Sequence, residues 1–233
     1  MAEMRRPQLN QVFPRLKVFF SPGKREPIRS SRTGTGPAWY AIPMAEPQRK
    51  MTAEEYLAFE RQSEERHEFL AGEIFAMSGA SAEHNDIVWN IASSFHAQLR
   101  DRPCRASIAD MRLQVSATGL YTYPDIVVVC GERQFAEPDT LLNPTLIVEV
   151  LSPSTEAYDR GKKFGHYRTI ETLQEMVLVA QDRIIVERFA RRPGGAWLLS
   201  EARRLEDQIS LPSIGCELAL AAVYERVFAH DAN

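Results

Sequence analysis

LIVEVLSPST, residues 146–155, sets an acidic side chain in the middle of an apolar run. Bounded by Pro144 and Pro153, that run reads as a strand covered on both faces. An ionised carboxylate without a partner is costly there, so Glu149 is expected to pair, to hold a proton or to bind a metal. A second such place lies upstream, where YPDIVVV (123–129) sets Asp125 after Pro124 at the start of another apolar strand. Neighbouring strands lie about 5 Å apart, which would bring Asp125 and Glu149 side by side. Two carboxylates that close repel, and one of them is pushed towards a higher pKa. A divalent cation resolves the conflict, and hard oxygen ligands of this kind suit Mg²⁺ or Mn²⁺. Lys162 and Lys163 follow in DRGKK (159–163), on a helix expected to begin near Thr155 or Asp159. A lysine beside such a metal can orient a water and stabilise charge on a phosphate. Two carboxylates, a lysine and a metal are the parts of a phosphodiesterase site.

Outward from these strands the chain alternates between helical and extended periods. MTAEEYLAFERQ, from Met51, carries Thr52 and then Glu55 three residues on, the pattern of a helix-opening capping box. HEFLAGEIFAMSG turns at Gly72, with Glu73 to Met77 reading as a strand or hairpin arm. SAEHNDIVWNIASSFHAQLRD repeats apolar residues at helical spacing, and the stripe of Trp89, Phe95 and Leu99 reads as core. In SIADMRLQV the period becomes two, with Ala109, Met111, Leu113 and Val115 facing one way and Asp110 and Arg112 the other. EMVLVAQDRIIVERFA reads as a hairpin turning near residues 181–183, AWLLSEA as a strand, and LALAAVYERVF as a closing helix. The order of elements is that of a mixed α/β domain over residues 51–228.

Residues 1–50 look different, with scattered prolines and no sustained period. They hold ten Lys/Arg against three Asp/Glu, whereas the remainder holds 18 against 28. This segment is Arg-rich and acid-poor like a transit peptide, but the plainer reading is an extension the fold does not need, with Met44 as an alternative start. An acidic body is not the usual footprint of a nucleic-acid binder. No apolar run approaches the roughly 18 residues a membrane helix needs. The three cysteines, Cys104, Cys130 and Cys216, are far apart and form no CxxC pair. They make a poor disulfide or zinc framework, so a reducing, cytoplasmic setting is expected.

YPDIVVV, LIVEVLSPST and YDRGKKFGHY, together with HEFLAGEIFAMSGAS, IADMRL and LPSIGCEL, resemble the Uma2 family of bacterial endonucleases, within the PD-(D/E)xK nuclease superfamily. The likeness runs from about Met51 to about Val227. It implies a restriction-endonuclease-like mixed sheet flanked by helices, and a Mg²⁺- or Mn²⁺-dependent endonuclease acting on DNA more readily than RNA. It also implies roles: Asp125 and Glu149 as metal ligands, the Val150 carbonyl as a third, and Glu73 as an additional acid acting through water. The superfamily lysine would stand two residues after the glutamate, where this chain has Leu151. A lysine from the following helix takes its place in the family, which matches Lys163, with Lys162 as the neighbouring alternative. A homodimer is expected only by analogy with other proteins of this fold.

Each residue also has a plainer reading. Asp110 faces the polar side of its strand with Arg112, where its plainer role is a cross-strand ion pair. His84, at a helix start, could cap that helix, contact a phosphate or shuttle a proton. Ser152 and Ser154 would cap the next helix. The chain has no GxSxG and no GxxxxGK[ST], which excludes the serine-hydrolase elbow and the P-loop. A rival to catalysis is an interaction domain that keeps the fold without activity, a reading the acidic body favours.

Overall fold

Thr52 opens the first helix as the capping box requires. Its Oγ1 accepts from the Glu55 amide (3.2 Å), and the Glu55 carboxylate accepts from the Thr52 amide (2.9 Å). In this computed structural model, residues 50–77 and 79–228 are described, so the expectations for the N-terminal extension fall outside them save for Lys50. The helix, α1 (Ala53–Glu60), leads into the hairpin β1 (His67–Leu70) and β2 (Glu73–Ala76). Ala71 and Gly72 both take positive φ at the turn, and a side chain on Gly72 would collide with Lys50. Replacing Thr52 with alanine is expected to cost about 1 kcal/mol. A thermal melt should fall by about 2–4 °C; an unchanged melt would mean the cap carries no stability.

Helix α2 (Ala82–Gln98) is capped by Ser81, whose Oγ accepts from the His84 amide at 3.1 Å. There follow β3 (Cys104–Ile108), β4 (Arg112–Val115), β5 (Leu120–Thr122), β6 (Ile126–Cys130), β7 (Phe135–Ala136), β8 (Thr140–Leu141) and β9 (Leu146–Leu151). A helical segment is built from α3 (Glu156–Tyr158), a π turn (Asp159–Lys163) and α4 (Phe164–Tyr167). The described residues close with β10 (Glu175–Ala180), β11 (Val186–Arg191), β12 (Trp197–Ala202), β13 (Gln208–Leu211), β14 (Cys216–Ala219) and α5 (Leu220–Val223).

These strands form two six-stranded mixed sheets and a small two-stranded one, a mixed α/β fold as the sequence predicted. The first sheet runs β2-β1-β5-β4-β8-β7 and the second β12-β11-β10-β9-β6-β3. In the second, β9 is parallel to β10 and antiparallel to β6. Every residue of β9 is buried, in keeping with its near-continuous apolar sequence. Val148 and Val150 face α2 and its Ile87, Ile91 and Phe95. Ile147 and Leu151 face the opposite core with Tyr167, Leu173 and Leu113. Glu149 shares the parity of this second set, so its carboxylate points towards the first sheet and the π-turn segment.

Four sequence readings need correction. Trp89 is 69% exposed. Ile87, Ile91 and Phe95 repeat every fourth residue on the buried face, and Trp89, two positions past Ile87, is about 200° round the helix from it. SIADMRLQV is not one strand: Ala109 takes φ 52° and the chain bends there, leaving β3 in one sheet and β4 in the other. Asp110 sits in that bend, and its ion pair is with Arg66 at 3.3 Å. The closing helix is a single turn, because Cys216–Ala219 pairs with β13 as a strand. Lastly, Cys104 and Cys130 face each other across β3 and β6 and are disulfide-bonded, while Cys216 is a buried thiol. A separation of 26 residues hid this pairing, which only the strand register brings together. The expectation of a reducing compartment loses the ground it stood on. Among the described residues no helix is long and apolar enough to cross a membrane.

Candidate active site

Strand register sets the first two acids opposite each other. β6 and β9 pair Ile126 with Val148 and Val127 with Ile147. One step further along the same antiparallel register, Asp125 faces Glu149. Pro124 has no N–H to donate, so the ladder stops here, and the Asp125 side chain takes over. The Val150 N–H donates to Asp125 Oδ2 at 2.7 Å, and His84 Nε2 lies 3.1 Å from Asp125 Oδ1. His84 reaches this carboxylate from the first turn of α2, so it is more than the helix-start residue that its sequence context suggests.

Glu149 is 4% exposed and ringed by partners. The Tyr167 hydroxyl donates to its Oε1 at 2.6 Å, and Lys163 Nζ lies 3.0 Å from the same oxygen. Glu149 Oε2 accepts no hydrogen bond among the described residues. The π turn sets this arrangement, because its wider turn brings Lys163 inward, 3.6 Å from Asp159 four residues earlier. Lys162 is exposed. Of the two lysines the sequence left open, Lys163 is therefore the one beside the carboxylates.

The acid that the β1–β2 hairpin contributes is Glu68. Its Oε1 lies 3.1 Å from Lys163 Nζ and accepts from Thr122 at 2.5 Å, and its Oε2 accepts from the Tyr158 hydroxyl at 3.2 Å. Glu73 stands in β2 opposite Leu70, half-buried, on the same face of the hairpin as Glu68, which is opposite Phe75. Asp110 lies outside the cluster in its exposed bend. Val150 meets Asp125 through its N–H, while the expected ligand was its carbonyl.

Three carboxylates, Glu68, Glu149 and Asp159, thus surround one ammonium, and Asp125 adds a fourth acid beside Glu149. Burial pushes the Glu149 carboxyl up to about 8 against the pull of Lys163, with Asp125 and Asp159 adding repulsion. Burial also raises Asp159. Burial acts to lower Lys163, but Glu149 and Glu68 outweigh it and hold the ammonium well above its ordinary value. Glu68 is likewise pushed up by burial, yet Lys163 and its hydroxyl donors bring it below the usual carboxylate range. Lys163 is therefore the charge that persists, and Glu149 is the member that takes up a proton.

Such a surplus of buried acid suits a hard divalent cation. Asp125 and Glu149, which leaves one oxygen open, are the residues that could hold it. No group of three or more His, Cys, Asp or Glu among the described residues is arranged to bind a metal alone. Backbone oxygen or water would have to complete the shell.

Comparison with known proteins adds the following. The family model "Uma2: Putative restriction endonuclease" matches residues 53–222. Two proteins of Synechocystis sp. are similar along most of their length. The protein slr1290 is 36% identical over 175 residues, covering 75% of this chain and 92% of its own. The protein sll1609 is 40% identical over 153 residues, covering 65% and 86%. A crystal structure from Anabaena variabilis, titled as a "putative nuclease belonging to DUF820", shares the fold with a TM-score of 0.62 at 18% identity. It covers 75% of this chain and 97% of its own.

Proposed function

The chain belongs to the Uma2 family, whose fold and description are nuclease-like, and from that premise we propose a metal-dependent endonuclease hydrolysing phosphodiester bonds in DNA. One observation carries the proposal: Asp125 faces Glu149 in register, with Lys163 3.0 Å from Glu149 inside a cluster richer in acid than in cation. Asp125 and Glu149, with a backbone carbonyl such as that of Val150, would hold Mg²⁺ or Mn²⁺. When bound, the ion supplies Lewis acidity to a water and offsets charge at the phosphate.

The remaining residues orient and stabilise. Tyr167 and Lys163 fix one oxygen of Glu149 and leave the other for the site. His84 and the Val150 N–H fix Asp125. Glu68 and Asp159 keep Lys163 charged, so that its ammonium would meet the negative charge that grows on the phosphate in the transition state. A second subunit completing the groove belongs to the same proposal. The rival, an inactive interaction domain, draws on the acidic body and on Arg112, a buried side chain tied to Tyr123 and Asp139 and so turned away from the rim.

Calorimetric titration of Mn²⁺ into the full chain separates the two. Saturable binding to the wild type is expected, with a loss of at least about 10–100-fold in affinity for Glu149→Gln, the order seen when metal-site groups are removed. Cleavage of DNA should fall in step. No binding to either protein would hand the lead to the interaction domain.

A further inference from the structure

A phosphodiester at Asp125 and Glu149 needs a cation on the solvent side, and two cations close to the site are unsuited to that. Arg112 and Lys163 are buried and committed to internal partners. The structure offers another. Arg66 immediately precedes β1, and 40% of its side chain is exposed. The Arg66 guanidinium lies over the Tyr123 ring, 5.7 Å from its centroid, two residues before Asp125.

Its partner makes the arrangement specific. Arg66 Nε lies 3.3 Å from Asp110 Oδ1, and Asp110 is 77% exposed. The bend that carries Asp110 is anchored to the site, because the Ala109 N–H donates to the Asp125 backbone oxygen at 2.9 Å. Ala109 holds φ 52°, a conformation uncommon outside glycine, and so the bend is held where it meets Asp125. An exposed ion pair of this kind is weak and is readily exchanged for a better anion. A guanidinium offers two parallel donors to a phosphate and can keep its stacking on the tyrosine while it does so.

We infer that Arg66 is a substrate-phosphate contact of this site, and that Asp110 holds it in reserve at the rim until a nucleic-acid phosphate replaces the aspartate. The inference rests on the nuclease reading, since it needs a polyanionic substrate. Asp110 then acts against binding, a role that neither a strand ion pair nor a metal ligand would give it.

The test is fluorescence anisotropy of a labelled 20-base-pair DNA duplex with the full chain, in chelator to prevent cleavage, as salt is varied. Arg66→Gln should weaken binding by about 5–10-fold and reduce the slope of log affinity against log salt by about 0.9, the share of one phosphate contact. Asp110→Asn should tighten binding by about 2–5-fold, as expected from freeing one exposed cation. The double variant should behave as Arg66→Gln does. Arg100→Gln, at the far end of α2 from His84, is the control for general charge.

Unchanged binding by Arg66→Gln, with a wild type that does bind, overturns this inference alone. So does an equal loss for Arg100→Gln, or tightening by Asp110→Asn that persists without Arg66. A wild type with no affinity for the duplex overturns the nuclease reading together with the inference. Circular dichroism of each variant, expected to match the wild type since both side chains are partly exposed, shows that folding is not the cause.

Discussion

Lys163→Met is expected to lower folding stability by about 3–5 kcal/mol at pH 8, the usual cost of removing one partner from a buried ionic cluster. The lysine contacts Glu149 at 3.0 Å, Glu68 at 3.1 Å and Asp159 at 3.6 Å, so its loss strands three buried carboxylates together. Methionine fills most of the space, which keeps the cost electrostatic and not a matter of cavity. For a domain of this size the melting temperature should fall by about 10 °C or somewhat more. Acid should recover much of the loss, because protonated carboxyls no longer need the ammonium. A melt within two degrees of wild type at pH 8 would mean that the cluster is hydrated and weak. That outcome would also remove the reason to expect a cation there.

Chelator-treated protein should lose stability as pH rises from about 5 to about 9, the reverse of ordinary carboxylate behaviour. Glu149 titrates near 4.5 when exposed and near 8 when folded, so the native state holds the extra proton between those values. Its contribution is fully present below 4.5 and is lost as pH climbs through 8. A shift of that size corresponds to at most about 5 kcal/mol. Asp159, also raised, acts in the same direction, and Glu68, lowered, acts against it. Urea midpoints at pH 6 and pH 9 measure the effect, and Glu149→Gln should flatten most of it. Mn²⁺ should reverse the trend, since ligands must be deprotonated and binding then tightens as pH rises. A wild type whose midpoint is level across this range in chelator would show that Glu149 stays ionised.

Much of this architecture could be read along the chain, where the signal is local. The capping box at Thr52, the β10–β11 hairpin and the buried strand around Glu149 depend on short patterns, and each stands in the structure. Asp125 and Glu149 could be paired in advance because both begin or interrupt apolar strands, and register then joined them. Glu68 could not be singled out in the same way. It meets Lys163 from the other sheet, 95 residues earlier in the chain, and HEFL carries no period that reveals which neighbour it will have. Glu73 stands beside a turn glycine, a signal local to the sequence, whereas the contact of Glu68 with Lys163 is set by tertiary packing. Ala109 hid the break between β3 and β4 because alternation runs smoothly through it and only its φ betrays the bend. Trp89 was misplaced by judging size before phase, although the four-residue spacing of Ile87, Ile91 and Phe95 already marks the other face as the buried one.

The cluster draws Glu68 from the first sheet, Asp125 and Glu149 from the second, and Lys163 from the segment that follows β9. A chain that has completed only one sheet therefore owns one fragment of the constellation and none of its balance of charge. If the proposed function holds, nascent or misassembled copies would lack a complete site, so that topology itself would tie hydrolytic competence to complete folding.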